Sequence, residues 1–132
     1  MTRVGGTIRV LMLMLVVMGA PLLGCTPQLP EPEIDAVEPV WGYNGEVTSI
    51  SVQGKAFYPS VTVNGGVENG GRIDAQYQVE LVGVNESRVL TGVTLVDYQN
   101  VDALVPEGLS PGLYDLVVTS PQGSDARLEQ AF

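Results

Sequence analysis

Residues 75–81 have the sequence Ala75-Gln76-Tyr77-Gln78-Val79-Glu80-Leu81, in which apolar and polar side chains alternate. Successive side chains of a β-strand point to opposite faces, so a period of two gives one buried and one solvated face. The stretch therefore predicts a half-buried β-strand, and helical periodicity is hard to find elsewhere in the chain.

The same alternation recurs on both sides of this stretch. The alternating apolar residues are Ile50 and Val52, Val61 and Val63, Val93 and Leu95, Val101, Ala103 and Val105, and Tyr114, Leu116 and Val118. Turn-forming sequences separate these runs, at residues 43–45, 64–66, 69–71, 106–108, 110–112 and 121–123. Short strands about ten residues apart are typical of antiparallel sandwiches. The sequence predicts an all-β antiparallel sandwich of about seven strands.

One turn predicts a specific corner of such a sandwich. Residues 109–114, Leu-Ser-Pro-Gly-Leu-Tyr, resemble a tyrosine corner, in which a Tyr hydroxyl bonds to backbone a few residues upstream. We expect Pro111 to fix the turn, Gly112 to adopt a left-handed φ and Tyr114 to point inward. The immunoglobulin disulfide is excluded, because the chain has one cysteine, and the only tryptophan, Trp41, lies near the first strand.

Taken in order, these motifs resemble the IPT/TIG family of immunoglobulin-like β-sandwiches. The motifs are Val37-Glu38-Pro39, Gly42 and Gly45, Val47, Ile50 and Val52, Gly54 and Phe57, Leu104-Val105-Pro106, Gly108-Leu109, Pro111-Gly112, Tyr114, Leu116, Val118, Pro121, Gly123 and Ala131-Phe132. The resemblance covers about residues 37–132, although residues 65–72 are longer and richer in glycine than a minimal domain needs. It implies a binding or spacer module. We expect Gly54 to turn the chain out of a strand so that Phe57 caps the core.

The N-terminus resembles a bacterial lipoprotein signal. Two cations, Arg3 and Arg9, precede the apolar run Val10–Leu23, and Leu22-Leu23-Gly24-Cys25 resembles a lipobox, after whose cleavage the cysteine is acylated. The run is shorter than the roughly 20 residues of a membrane-spanning helix. The alternatives are a transmembrane anchor or an ordinary cleaved signal in which Cys25 is incidental.

This interpretation divides the chain into three parts. Residues 1–24 form the signal peptide, residues 25–34 the lipidated Cys25 with a proline-rich tether, and residues 35–132 the sandwich. The tether is expected to hold the domain roughly 25–30 Å from the lipid. Thr26, at the position where an aspartate favours inner-membrane retention, indicates the outer membrane if the host is Gram-negative. The resemblance implies a fatty acyl chain such as palmitate on Cys25, and the partner of this lipid is the membrane of the cell envelope.

Charge and composition exclude several functions. Loss of Arg3 and Arg9 with the signal peptide leaves four cations against fifteen acidic residues, a formal charge of −11. Such a field repels phosphate, so we expect no nucleic-acid partner, and the four cations are too dispersed for a basic face. The chain has no histidine. Zinc sites built on His or thiolate and Ser-His or Cys-His nucleophiles are therefore excluded, and we expect no catalytic residue, metal or cofactor.

Two alternatives depend on carboxylates. Asp97, Asp102, Asp115 and Glu80 are the candidates for a carboxylate-pair hydrolase. Residues 97–102 also offer oxygen ligands for a calcium-dependent adhesion module, but they lack the spacing of a calcium loop. A polar hairpin is the simpler interpretation of these residues.

The candidate recognition surface is aromatic. Trp41 and Tyr43 lie in the first loop, and Tyr58 follows Phe57 in another. If the three shared one end of the sandwich, they would form a platform for stacking on a sugar or peptide; the alternative is that they cap the core or are scattered. The sequence predicts a non-enzymatic, lipid-anchored envelope protein whose domain binds a protein or glycan or acts as a spacer.

Overall fold

The computed structural model describes residues 24, 28–63, 65 and 71–132. The predicted signal peptide, apart from Gly24, and the predicted lipid attachment site Cys25 lie outside the described residues. Within the described part of the chain, no helix has the length and apolar character needed to cross a membrane.

The described residues form ten β-strands and no helix. In chain order the strands are β1 (Glu33–Glu38), β2 (Thr48–Lys55), β3 (Ser60–Val63), β4 (Gly71–Asp74), β5 (Gln78–Val82), β6 (Ser87–Val89), β7 (Thr91–Asp97), β8 (Asn100–Val105), β9 (Asp115–Thr119) and β10 (Asp125–Leu128). This count exceeds the predicted seven because the sequence did not predict the short strands β4, β6 and β10. The predicted all-β fold is confirmed.

The strands form an immunoglobulin-like antiparallel β-sandwich. One four-stranded sheet has the order β1-β2-β8-β7, the other has the order β10-β9-β5-β6, and β3 and β4 form a separate ribbon. Within the first sheet Thr48 pairs with Val105 and Val52 with Val101. This antiparallel register brings the end of β8 beside the start of β2, where the first loop enters the sheet.

The core lies between the two sheets and contains the inward side chains that the alternation predicts. The buried apolar residues are Ile34, Val37, Ile50, Val52, Phe57, Tyr77, Val79, Leu81, Leu90, Val101, Ala103, Val105, Leu109, Tyr114, Leu116, Val118, Ala126 and Ala131. Phe57 is fully buried and meets the Tyr77 ring edge to face, with centroids 5.9 Å apart. Ala75 departs from the prediction: it precedes β5 and is exposed.

The β3–β4 ribbon corrects the prediction of a half-buried strand at Val61 and Val63. Val61 pairs with Ile73 of β4, and all three side chains are exposed. Alternation shows which side chains share a face, but burial requires a second layer over that face. The ribbon is hydrogen-bonded to neither sheet, and among the described residues no second layer covers these side chains.

Gly54 has a different role from the predicted one. It lies inside β2, paired with Ile34, and the left-handed residue that turns the chain is Ala56, with φ of 59°. A Cβ atom at position 54 would lie 2.7 Å from Phe57 Cζ and closer still to the Glu33 carbonyl oxygen. Gly54 therefore makes room for β1 and for the Phe57 ring instead of making the turn.

The folded part begins slightly earlier than residue 35. β1 starts at Glu33, Pro32 is buried, and Ile34 belongs to the core. The last residues of the predicted tether are therefore part of the domain, because Ile34 packs in the core and Pro32 is buried.

Candidate functional site

The predicted tyrosine corner is present and braces one end of the sandwich. The Tyr114 hydroxyl oxygen lies 2.7 Å from the Ser110 carbonyl oxygen, as the sequence predicts. It also lies 2.6 Å from Glu86 Oε1, which accepts a second hydrogen bond from the Ser110 backbone N–H. Glu86 thus ties the β5–β6 loop to the corner. The sequence did not single it out, because 28 residues separate it from Tyr114.

These contacts shift the pKa values of both side chains. The donated hydrogen bonds from the Tyr114 hydroxyl and the Ser110 N–H lower the pKa of Glu86. Burial, and then the hydrogen bond to Glu86, raises the pKa of Tyr114 to about 12. At neutral pH Tyr114 is therefore a neutral phenol that donates its proton in the hydrogen bond, and Glu86 is a carboxylate that accepts it.

Gly112 does not have its predicted conformation, and the glycine that makes room for the Tyr114 ring is Gly83. Gly112 does not adopt a left-handed φ, and a Cβ atom there would meet no atom within 4 Å. A Cβ atom at Gly83 would instead lie 2.7 Å from Tyr114 Cε1. The expectation for Gly112 is wrong: the left-handed glycine of this region is Gly108, with φ of 86°.

Beside the corner lies a cleft of about 110 Å³. Its walls come from the β1–β2 loop, the end of β8, the loop before β9 and the last residue of the chain. The lining residues are Trp41, Gly42, Tyr43, Asn44, Thr48, Val105, Pro106, Leu109, Ser110, Pro111, Gly112, Tyr114 and Phe132. The Gly108 N–H donates to the Asn44 carbonyl oxygen at 2.7 Å, so a backbone hydrogen bond joins the two loops.

Two of the predicted aromatic residues stand at this cleft with their side chains in solvent. Trp41 is 73% exposed and Tyr43 is 65% exposed, so neither of them caps the core. Gly45 allows the Tyr43 ring to lie over the backbone, because a Cβ atom there would be 2.5 Å from Tyr43 Cε1. The aromatic side chains of the first loop are therefore accessible at the cleft.

Tyr58 does not join Trp41 and Tyr43. It follows Lys55 at the far end of β2, whereas the first loop precedes Thr48 at the near end. Eight strand residues span about 25 Å, so the three aromatic residues do not form one platform. The neighbour of Tyr58 is Tyr98, with ring centroids 5.3 Å apart.

The cleft suits an uncharged group. None of its lining side chains is acidic or basic, although the chain carries a formal net charge of −9. Its volume is well below the roughly 300–1,000 Å³ of a pocket for a drug-sized ligand. Indole and phenol faces stack on apolar faces of sugars and on aliphatic or proline side chains. The arrangement offers two exposed aromatic side chains beside a small cleft with an uncharged lining.

Two of the four candidate carboxylates, Asp97 and Asp115, have structural partners. Asp97 accepts hydrogen bonds from the Gln99 N–H at 2.7 Å and from the Asn100 side-chain amide, and these donors lower its pKa. Asp115 accepts from the Gln130 N–H at 2.7 Å and from Arg127, and these contacts lower its pKa. Asp97 and Asp102 belong to one sheet and Glu80 and Asp115 to the other.

No cluster of three or more acidic, His or Cys side chains suited to a metal ion occurs within residues 28–63 and 71–132. In the same ranges, every buried side-chain nitrogen or oxygen has a hydrogen-bond partner. Comparison of the chain with protein-family models, with curated proteins and with solved structures finds no match.

Proposed function

We propose that this protein is a non-enzymatic lipoprotein of the bacterial cell envelope, anchored through Cys25, whose domain binds a protein or glycan partner at the Trp41–Tyr43 cleft. The observation that carries the anchor is the sequence Leu22-Leu23-Gly24-Cys25 behind an apolar run of signal-peptide length. Fatty acylation of a cysteine gives stable attachment only with more than one chain, which lipoprotein acylation supplies.

The position of the cleft supports the binding role. β1 begins at Glu33, which pairs with Lys55, and ends at Glu38, which pairs with Ser51. The loop that carries Trp41 follows β1 and therefore lies at the end of the sandwich opposite Glu33. A lipid at Cys25 would therefore place the cleft on the side that faces away from the membrane. A partner approaching from the aqueous phase would reach the exposed indole first.

The family assignment is part of the proposal. The immunoglobulin-like sandwich and the tyrosine corner at Tyr114 are compatible with an IPT/TIG domain, the family that the ordered motifs from Val37 to Phe132 resemble. Domains of this kind serve as binding or spacer modules, and fold alone does not select between the two. The exposed pair Trp41 and Tyr43 favours binding, because a spacer needs no uncharged aromatic cleft.

Acylation is tested in a bacterial host that expresses the full chain. We expect incorporation of labelled palmitate and partition of the protein into the detergent phase, and loss of both on Cys25→Ser. Thr26→Ser is the matched control and should behave like the original chain. Labelling that survives Cys25→Ser, or original protein that stays in the aqueous phase, would refute the anchor.

Binding is tested by recovery of partners from an envelope fraction and on a glycan array with the acylated protein. Trp41→Ala/Tyr43→Ala should abolish recovery. Val61→Ala/Ile73→Ala is the matched control, since both side chains are exposed on the β3–β4 ribbon and neither lines the cleft. Equal recovery by the cleft variant and the original chain would dismiss the cleft as the binding site.

A further inference from the structure

The end of the sandwich opposite the cleft, here called the base, carries the segment that leads to Cys25. Residues 28–32 line a groove together with Ala56, Tyr58, Ser120, Gln122 and Ser124. Pro32 is buried, and the Tyr58 carbonyl oxygen accepts a hydrogen bond from the Tyr77 hydroxyl at 2.9 Å. The proline-rich segment therefore lies along the domain and does not project from it.

This placement shortens the distance available between lipid and protein. From Cys25 to Gln28 the chain spans three residues, which reach about 10 Å when fully extended. The polar layer on each side of a bilayer is roughly 5–8 Å thick. A base that is about 10 Å or less from Cys25 lies at the lipid headgroups. A free tether of residues 25–34 would instead allow a distance of roughly 25–30 Å between the domain and the lipid.

The side chains of the base suit that position. Tyr58 and Tyr98 pack together, Tyr98 is 62% exposed, and Leu29 is also exposed. Tyrosine is enriched at membrane–water interfaces because its ring is apolar and its hydroxyl is polar. The exposed Tyr98, packed on the half-buried Tyr58, and the exposed Leu29 of the same groove as Tyr58 therefore match the boundary between acyl chains and water.

The charges of the base select the kind of lipid. Lys55 lies 3.3 Å from Asp35 and 4.0 Å from Glu33, so its charge is offset within the domain. Glu31 and Asp97 add further negative charge at this end. Such a surface gains nothing from anionic headgroups, and contact with zwitterionic headgroups is favoured.

We propose that the base is a membrane-contact surface: Leu29, Tyr58 and Tyr98 rest in the headgroup layer of a zwitterionic bilayer, and the sandwich stands with its Trp41 cleft facing outward. The inference rests on the proposed acylation of Cys25. It adds a fixed orientation, with one end of the domain held at the lipid and the other presented to a partner.

The test uses fluorescence quenching in phosphatidylcholine vesicles that carry a spin label on the headgroup. The chain has a single tryptophan, so the original acylated protein reports on the cleft end through Trp41. The variant Trp41→Phe/Tyr98→Trp reports on the base. Vesicle flotation measures anchoring in the same samples, and Cys25→Ser in each background supplies the protein without lipid.

We expect both acylated proteins to float, the reporter at position 98 to lose most of its emission, and Trp41 to lose none. Floating protein whose reporter at position 98 is unquenched, or quenched no more than Trp41, would overturn the contact surface and leave the anchor intact. Emission at position 98 that changes only when envelope proteins are added would replace the bilayer with a protein partner. Failure to float would remove the anchor and the contact surface together.

Discussion

Replacement of Gly54 by alanine tests the contact that holds β1 in the sandwich. The new Cβ atom would lie 2.7 Å from Phe57 Cζ, 3.1 Å from the Glu33 carbonyl carbon and closer to its oxygen. Phe57 is fully buried and cannot swing away. β1 must therefore retreat by roughly 1 Å to restore normal contact distances.

The magnitude follows from what β1 contributes to the core. Its buried side chains are Ile34 and Val37, and full burial of each stabilises by about 1.5–3 kcal/mol. A gap of this size forfeits up to about half of a contact's attraction. Gly54→Ala should therefore cost about 1.5–3 kcal/mol, which lowers the Tm of a domain of this size by about 6–24 °C.

Two glycines that lack this contact provide matched controls. A Cβ atom at Gly112 meets nothing within 4 Å and its φ is not left-handed, so Gly112→Ala should be neutral or stabilise by about 0.5 kcal/mol. Gly108 is equally open but has φ of 86°, so Gly108→Ala should cost about 1–2 kcal/mol from backbone strain alone.

The assay is urea and thermal unfolding of the three variants and the original chain, followed by far-ultraviolet circular dichroism. The expected order of stability is Gly112→Ala, then Gly108→Ala, then Gly54→Ala. If Gly54→Ala unfolds together with Gly112→Ala, β1 does not pack against position 54 and the packing described for the first sheet is wrong.

Three further predictions concern the tyrosine corner and the core tyrosine. Tyr114→Phe removes the hydroxyl that donates to the Ser110 carbonyl oxygen, and it should lower the free energy of unfolding in a urea titration by about 1 kcal/mol. An unchanged urea midpoint would show that the hydrogen bonds of Tyr114 do not stabilise this end of the sandwich. In the folded protein the pKa values of Tyr77 and Tyr114 are raised from 10.0 to about 12. The stability that these two groups contribute is therefore complete below pH 10 and is lost as the pH rises towards 12. Tyrosinate absorbance of the folded protein should show two tyrosines that ionise near pH 12, above the others. The pKa of Glu86 is lowered from 4.5 in the folded protein, so Glu86 stabilises the fold above pH 4.5 and this stabilisation is lost as the pH falls through the folded-state pKa. Glu86→Gln should remove this part of the acid dependence of the free energy of unfolding.

The strands that form the core could be predicted from local sequence because their alternation coincides with burial. Ile50 and Val52, or Leu116 and Val118, have an inward side at every second position, and the structure buries these side chains. The same pattern at Val61 and Val63 gave the strand but not its exposure. Period-two spacing reports the backbone conformation, whereas burial depends on whether another layer covers that face.

The aromatic residues show the same division. The sequence singled out Trp41, Tyr43 and Tyr58 as aromatic residues near turns, and the first two line one cleft. Their separation from Tyr58 follows from the direction of β2, which places the two loops at opposite ends of the sandwich. The partner of Tyr58, Tyr98, comes from a hairpin forty residues later in the chain.

The sequence by itself determined the all-β class, the positions of most core strands, the tyrosine corner and the lipobox-like Cys25, because each depends on residues that are neighbours along the chain. The tertiary structure alone decided which loops share an end, that Glu86 braces Tyr114, and that Gly54 makes room for β1 while Ala56 makes the turn. These contacts join residues of different strands and loops, and their distances are set by the pairing and packing of the sheets, which no local pattern encodes.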